Sequence, residues 1–195
     1  MRMLNKQTIF RTFQRKNIEF FDPLEFAKIF NIKNKNTLYK KLQSLEKAQI
    51  IKRLNKGLYQ FSLAHPNDFT LANYLYQPSY ISLETALSFY GIITGFPYKI
   101  TSVTPKKSRT IIANDKEFAY SQIKLELFWG YEKQDNFLIA EKEKALLDYL
   151  YFYSKGLKEI DFKEMDLDQI NKRKLLSFAK KADKAKLLRL MKKIL

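Results

Sequence analysis

Between residues 35 and 43 the chain carries side chains of the types that read a nucleobase edge. Asn36 and Gln43 can each pair bidentately with adenine, and Lys40 suits guanine or a phosphate. Lys35, Thr37 and Tyr39 complete the group, although Thr37 has a second use as a helix cap. At helical spacing Lys35, Asn36, Tyr39, Lys40, Gln43 and Lys47 share a face opposite Leu38, Leu42 and Leu45. Lys52, Arg53 and Lys56 follow on a β-patterned stretch and suit phosphate or minor-groove contact. A solvated helix face would look the same in one sequence.

The surrounding elements must hold that face outward. Ile9, Phe10 and Phe13 have helical spacing within 4–15. Asp22, Pro23 and Glu25 form a capping-box pattern before a short helix at 24–30, with Leu24, Ala27 and Phe30 inward. A break at 31–34 leads to a longer basic helix at 35–48, with Ile32 packing beneath it. Strands at 50–54 and 58–61 flank a turn in which Gly57 supplies a positive φ. Short helix, tight turn, basic helix and hairpin predict a winged helix-turn-helix over 1–63. The stretch from Leu38 to Tyr59 resembles many winged regulators, with Gln49 standing where they usually carry Gly.

The charge distribution points the same way. The net charge is +16, which favours polyanionic partners. Residues 1–65 carry 14 Lys and Arg against 4 Asp and Glu; residues 66–170 carry 12 against 15; residues 171–195 carry 10 against 1. A uniform lysine bias would not leave two basic ends around a near-neutral middle.

Other chemistries are closed by composition. Cysteine is absent and His65 is the sole histidine, so disulfides, thiolate metal sites and multi-histidine sites are excluded. His65, between Ala64 and Pro66, reads as a solvated loop residue. No catalytic residue, metal or cofactor is expected, and the chain reads as a binding protein rather than an enzyme. An acidic cluster of Glu126, Glu141 and Glu143 with Lys142 or Lys144 is the weaker nuclease alternative. Neither a leader-like segment nor an apolar run of about 18 residues appears, which predicts the cytoplasm and no membrane partner.

The second half alternates types. A linker at 62–68 precedes helices at 69–76, 83–90 and 141–153, and strands within 100–104, 110–113, 120–126 and 137–140. Residues 78–82 form a brief strand or turn, Ser82 caps the helix that follows, and Gly91 ends it. Glu84 fits as a first-turn partner of the helix dipole. Basic helices at 166–181 and 184–194 finish the chain. The class is therefore α+β, a winged helix-turn-helix followed by a mixed α/β domain over 69–195 that ends in basic helices. Lys106, Lys107 and Arg109, with Lys172, Arg173 and Lys174, are candidates for a second basic surface, with phosphate binding and simple solvation both open. Asp148 is placed to pair with a basic residue in the core.

Three blocks carry a family likeness. They are Pro-Ser-Tyr-Ile-Ser-Leu-Glu-Thr-Ala-Leu at 78–87 with Tyr-Gly-Ile-Ile at 90–93, Thr-Ser-Val-Thr-Pro-Lys-Lys-Ser-Arg at 101–109, and Ile-Ala-Glu-Lys-Glu-Lys-Ala-Leu-Leu-Asp at 139–148. In order and spacing they resemble the C-terminal domain of the AbiEi antitoxin family. That resemblance implies a type IV, abortive-infection toxin–antitoxin system. Such an antitoxin represses its own operon through repeats in double-stranded promoter DNA. It also counters a nucleotidyltransferase-like toxin without a stable complex. The residues alone point to DNA binding; the antitoxin role comes from the resemblance. The alternative is a basic module that meets RNA or a toxin without reading DNA sequence.

Overall fold

The computed structural model describes residues 4–95, 97–159, 162–182 and 185–194. They fall into two units, Met1–Asn67 and Asp68–Leu195, and the whole is mixed α+β.

The first unit contains α1 (Lys6–Arg15), β1 (Phe20–Phe21), α2 (Pro23–Ile29), α3 (Lys35–Lys47), β2 (Ile51–Asn55) and β3 (Leu58–Phe61). The strands form an antiparallel sheet in the order β1-β3-β2, with Phe20 opposite Gln60 and Arg53 opposite Tyr59. Aromatic rings fill the core, where Phe13 lies 5.0 Å from Phe21 and 5.3 Å from Phe61. Leu38, Leu42 and Leu45 close it from α3.

One expected core residue is corrected. Leu24 is 70% exposed, whereas Phe26 is fully buried. The Phe26–Phe30 pair, four residues apart with rings 4.7 Å apart, sets the inward face of this short helix. Leu24 is left on the opposite side.

Each helix start has a chemical cause. The Asp22 carboxylate accepts from the Glu25 amide and Glu25 accepts from the Asp22 amide, both at 2.8 Å. At α3 the cap is Asn34, whose side chain accepts from the Thr37 amide at 3.0 Å. Thr37 is the capped residue and not the cap.

The second unit contains α4 (Asp68–Leu75), β4 (Tyr80–Ile81), α5 (Leu83–Phe89), β5 (Lys99–Thr104), β6 (Arg109–Ala113), β7 (Lys116–Gln122), β8 (Tyr131–Gln134), β9 (Phe137–Ala140), α6 (Lys142–Ser154), α7 (Lys172–Lys181) and α8 (Ala185–Ile194). Short 3-10 turns occur at Leu125–Leu127 and Phe162–Glu164. The six strands order as β6-β7-β5-β4-β9-β8. β5 runs parallel to β7 and β4 parallel to β9; the other pairs are antiparallel.

Helices cover both faces of this sheet. The Tyr80 and Ser82 hydroxyls both donate to Asp148 on α6. Ile81 points the other way by strand alternation, as do its neighbours across the ladder, Ser102 and Tyr120. On that second face the Tyr120 hydroxyl donates to the Ala72 carbonyl of α4 at 2.6 Å.

Two boundaries differ from the pattern. The strand expected at 120–126 occupies Lys116–Gln122, because Asn114 and Asp115 take left-handed conformations and turn the chain early. The helix expected from 166 begins at Lys172, capped by Asn171, while the Asp166 amide donates to the Ile92 carbonyl in the preceding turn. The expected start of the last helix at Lys184 lies outside the described residues.

Candidate nucleic-acid interface

Lys35, Asn36, Thr37, Tyr39, Lys40 and Gln43 are all exposed on α3, and Lys52, Arg53 and Lys56 are exposed on the β2–β3 hairpin. None of them forms the core. The leucine stripe at 38, 42 and 45 turns inward, so the 3.6-residue period presents the polar face to solvent.

A cleft of about 770 Å³ lies between the start of α3 and the hairpin. Lys35, Tyr39, Arg53 and Lys56 line it, and so does Lys33, which spacing alone did not single out. Its floor is partly apolar, with Tyr59 stacked on Phe21 at 5.7 Å. Burial pushes the Tyr59 hydroxyl pKa up, and nearby Arg53 only partly offsets this. Tyr59 therefore stays a neutral donor beside the arginine.

A second depression gathers Lys6 from α1 with Lys40, Gln43 and Lys47 from α3. Lys6 extends the basic face across two helices, and only the packing of α1 on α3 brings it there. Lys41 does not join that face. Its Nζ donates to the Leu4 carbonyl at 2.7 Å, tying α3 to the start of α1.

The last residue of the α3 turn explains the departure at Gln49. Gln49 has φ 55°, the conformation that favours glycine. The Ile50 amide donates to the Leu45 carbonyl at 3.0 Å, closing the helix end in spite of the side chain.

The six candidates for a second basic surface do not form one surface. β4 is parallel to β9 and antiparallel to β5, so Glu141, just after β9, lies at the end of the sheet where β5 begins. The loop with Lys106 and Lys107, and Arg109 after it, follows the other end of β5. Tyr76 organises that loop. Its hydroxyl donates to the Lys107 carbonyl at 3.1 Å, and Lys106 and Arg109 lie 5.6 and 5.9 Å from its ring centre.

Lys172 and Arg173 are exposed at the start of α7, at the Glu141 end. Lys174 is engaged by Glu141 at 2.6 Å and Glu143 at 3.1 Å, so its charge is matched within the fold. Hydrogen bonding to Glu141, and then to Glu143, raises the Lys174 pKa.

The polar residues of the three family-like blocks converge inside the second unit. Asp148 receives hydrogen bonds from Tyr80 and Ser82, each at 2.9 Å, and an ion pair from Lys144. Lys144 also donates to the Tyr80 hydroxyl at 2.8 Å. Thr101 Oγ1 donates to the Ser82 carbonyl at 2.8 Å and lies 3.0 Å from Thr85 Oγ1. Ser82 thus occupies the helix-cap position, yet its side chain bonds Asp148 instead of an α5 amide. Glu84 pairs with Lys158.

Glu141, Glu143 and Lys144 of the imagined nuclease cluster are divided between Lys174 and Asp148, and Glu126 is exposed on the 3-10 turn. Among the described residues no group of three metal-ligating side chains occurs, and no helix is long and apolar enough to cross a membrane. No family model matches the chain, and no curated protein matches it.

Proposed function

We propose that the protein is a transcriptional repressor whose first unit is a winged helix-turn-helix reading double-stranded promoter DNA. In this reading α2 and α3 are the helix pair, α3 lies in the major groove, and β2–β3 is the wing. Asn36, Lys40 and Gln43 face base edges; Lys52, Arg53 and Lys56 meet phosphate or the minor groove.

One observation carries the reading. Every side chain selected on α3 and the hairpin is exposed, and Lys35 and Tyr39 of the helix share one cleft with Arg53 and Lys56 of the hairpin. The basic charge of residues 1–65 supplies non-specific attraction that this face refines into sequence reading.

The resemblance of blocks 78–93, 101–109 and 139–148 extends the proposal. It makes the protein an antitoxin of a type IV system that opposes a nucleotidyltransferase-like toxin without holding it in a complex. It acts in the cytoplasm as a binding protein, with no catalysis of its own.

The deciding experiment is a mobility shift with the DNA immediately upstream of its own gene, at two salt concentrations, against unrelated competitor DNA. Retardation that survives the competitor is expected. Retardation that the competitor abolishes at both salts would sink the repressor reading and leave a non-specific polyanion surface.

A further inference from the structure

A cleft of about 660 Å³ opens in the second unit between the α4–β4 loop and the β8–β9 hairpin, within the size range of small-molecule sites. No Asp or Glu is among its described lining residues, although residues 66–170 hold more acids than bases. Two lysines stand on it, Lys106 and Lys133. Lys106 donates to the Gln77 carbonyl and lies over the Tyr76 ring, and neither contact cancels its charge. Lys133 is exposed on β8, with no carboxylate partner among the described residues.

The same cleft is lined by an aromatic pair, Tyr131 and Phe128. Tyr131 stacks on Tyr80 with ring centres 4.6 Å apart and planes 23° apart. Tyr80 is wholly buried and Tyr131 is 36% exposed, so the Tyr131 ring is backed by Tyr80 while part of the side chain reaches solvent. Phe128, 5.3 Å from Tyr131, adds a second ring. The backing is rigid, because the Tyr80 hydroxyl is held between Asp148 and Lys144. Gln77 and Asn136 bring amide groups that can bond a base edge.

We infer that this cleft binds a nucleotide, with the base stacked on Tyr131 and the phosphate between Lys106 and Lys133. A backed, partly exposed ring in a cleft with two cations is the pairing of stacking and electrostatics that holds single-stranded nucleotides. The nucleotide comes either free or as the end of a single strand, and the chemistry recognised is the same.

The test is calorimetric titration of the full chain with ATP, GTP, CTP and UTP separately, and with a 5′-phosphorylated uridine trinucleotide. Saturable one-to-one binding of at least one probe is expected. Tyr131→Ala and Lys133→Glu should each weaken it by about tenfold, the order expected for loss of one stacked base. Arg53→Ala, in the other unit, should leave it unchanged. Binding of a mononucleotide assigns a free ligand; binding of the trinucleotide alone assigns a strand end. Lys133→Glu should leave the promoter-DNA shift intact, so this inference and the repressor reading fail separately. Absence of saturation with every probe overturns the inference, as does unchanged binding in Lys133→Glu. That exposed substitution decides the matter if Tyr131→Ala does not fold.

Discussion

Lys144 and Asp148 form an ion pair one turn apart on α6, with side chains 0% and 2% exposed. Burial lowers the Lys144 pKa and raises that of Asp148, each opposing the charge that the partner favours. The pair persists because its remaining polar capacity is filled: Tyr80 and Ser82 donate to the carboxylate, and the ammonium also lies 5.1 Å from the Trp129 ring centre. Removing one partner strands the other charge away from water.

Lys144→Met and Asp148→Leu should therefore each cost about 3–5 kcal/mol, and the two together should cost less than the sum of those. Denaturant midpoints of the three variants check this. Additive losses would show that the two charges act independently.

The α6–α7 clamp should give the second unit a pH window. At Glu143 burial acts to raise the pKa, but the Asn171 amide and Lys174 outweigh it and hold the carboxyl below its ordinary value of 4.5. A depressed folded-state pKa gives stability that is present above the unfolded pKa and lost as pH falls through the folded one. Lys174 is the reverse case. Its raised pKa gives stability that is full below 10.5 and lost as pH climbs through the higher folded value. Trp129 is the sole tryptophan and packs edge-on against Phe178 of α7 at 5.1 Å, so its emission reports the clamp. A loss of clamping below pH 4.5 is expected, with a weaker acid dependence in Glu143→Gln.

Two left-handed positions should respond oppositely to exchange of glycine. Gln49→Gly removes a strained conformation at the end of α3 and should stabilise the first unit by about 0.5–1 kcal/mol, after the greater chain entropy of glycine is set against it. Gly130→Ala should destabilise the second unit by more than about 1 kcal/mol. Its φ is 72°, and a Cβ there would meet Lys144 Cγ at 3.0 Å, on a lysine with no room to withdraw. Thermal unfolding of both variants tests the contrast.

On the proposed DNA face, Lys40→Ala and Arg53→Ala should weaken promoter binding without altering circular dichroism. Each lost phosphate contact should lower the salt slope by about one unit. Gln43→Ala should instead relax the preference at one base position. Wild-type affinity and salt slope in both cation variants would overturn the assignment of this face.

How far residue patterns reveal this molecule depends on what each residue does. The polar face of α3 is legible because three buried leucines recur at helical spacing and leave the polar side in view. β1 escapes notice at two residues, too short for alternation to register. β8 escapes because all four of its residues are exposed. Lys144 stands in a Glu-Lys-Glu-Lys run that looks like a solvated helix start; its four-residue spacing to Asp148 is the one local sign of the pair. The pairing of Lys174 with Glu141 and Glu143 has no local sign, since about thirty residues separate them and only the docking of α7 brings them together.

The core of the first unit is built from Ile9, Phe13, Phe21, Phe26, the α3 leucines and the hairpin, and none of the DNA-facing candidates belongs to it. Substitutions on that face therefore leave the packing of the core untouched. In the repressor proposed above, a duplicated copy of the gene can drift to a new operator through a few surface changes while the scaffold beneath stays the same. On that proposal, closely related regulators in one cell can diverge in this way and ignore each other's promoters.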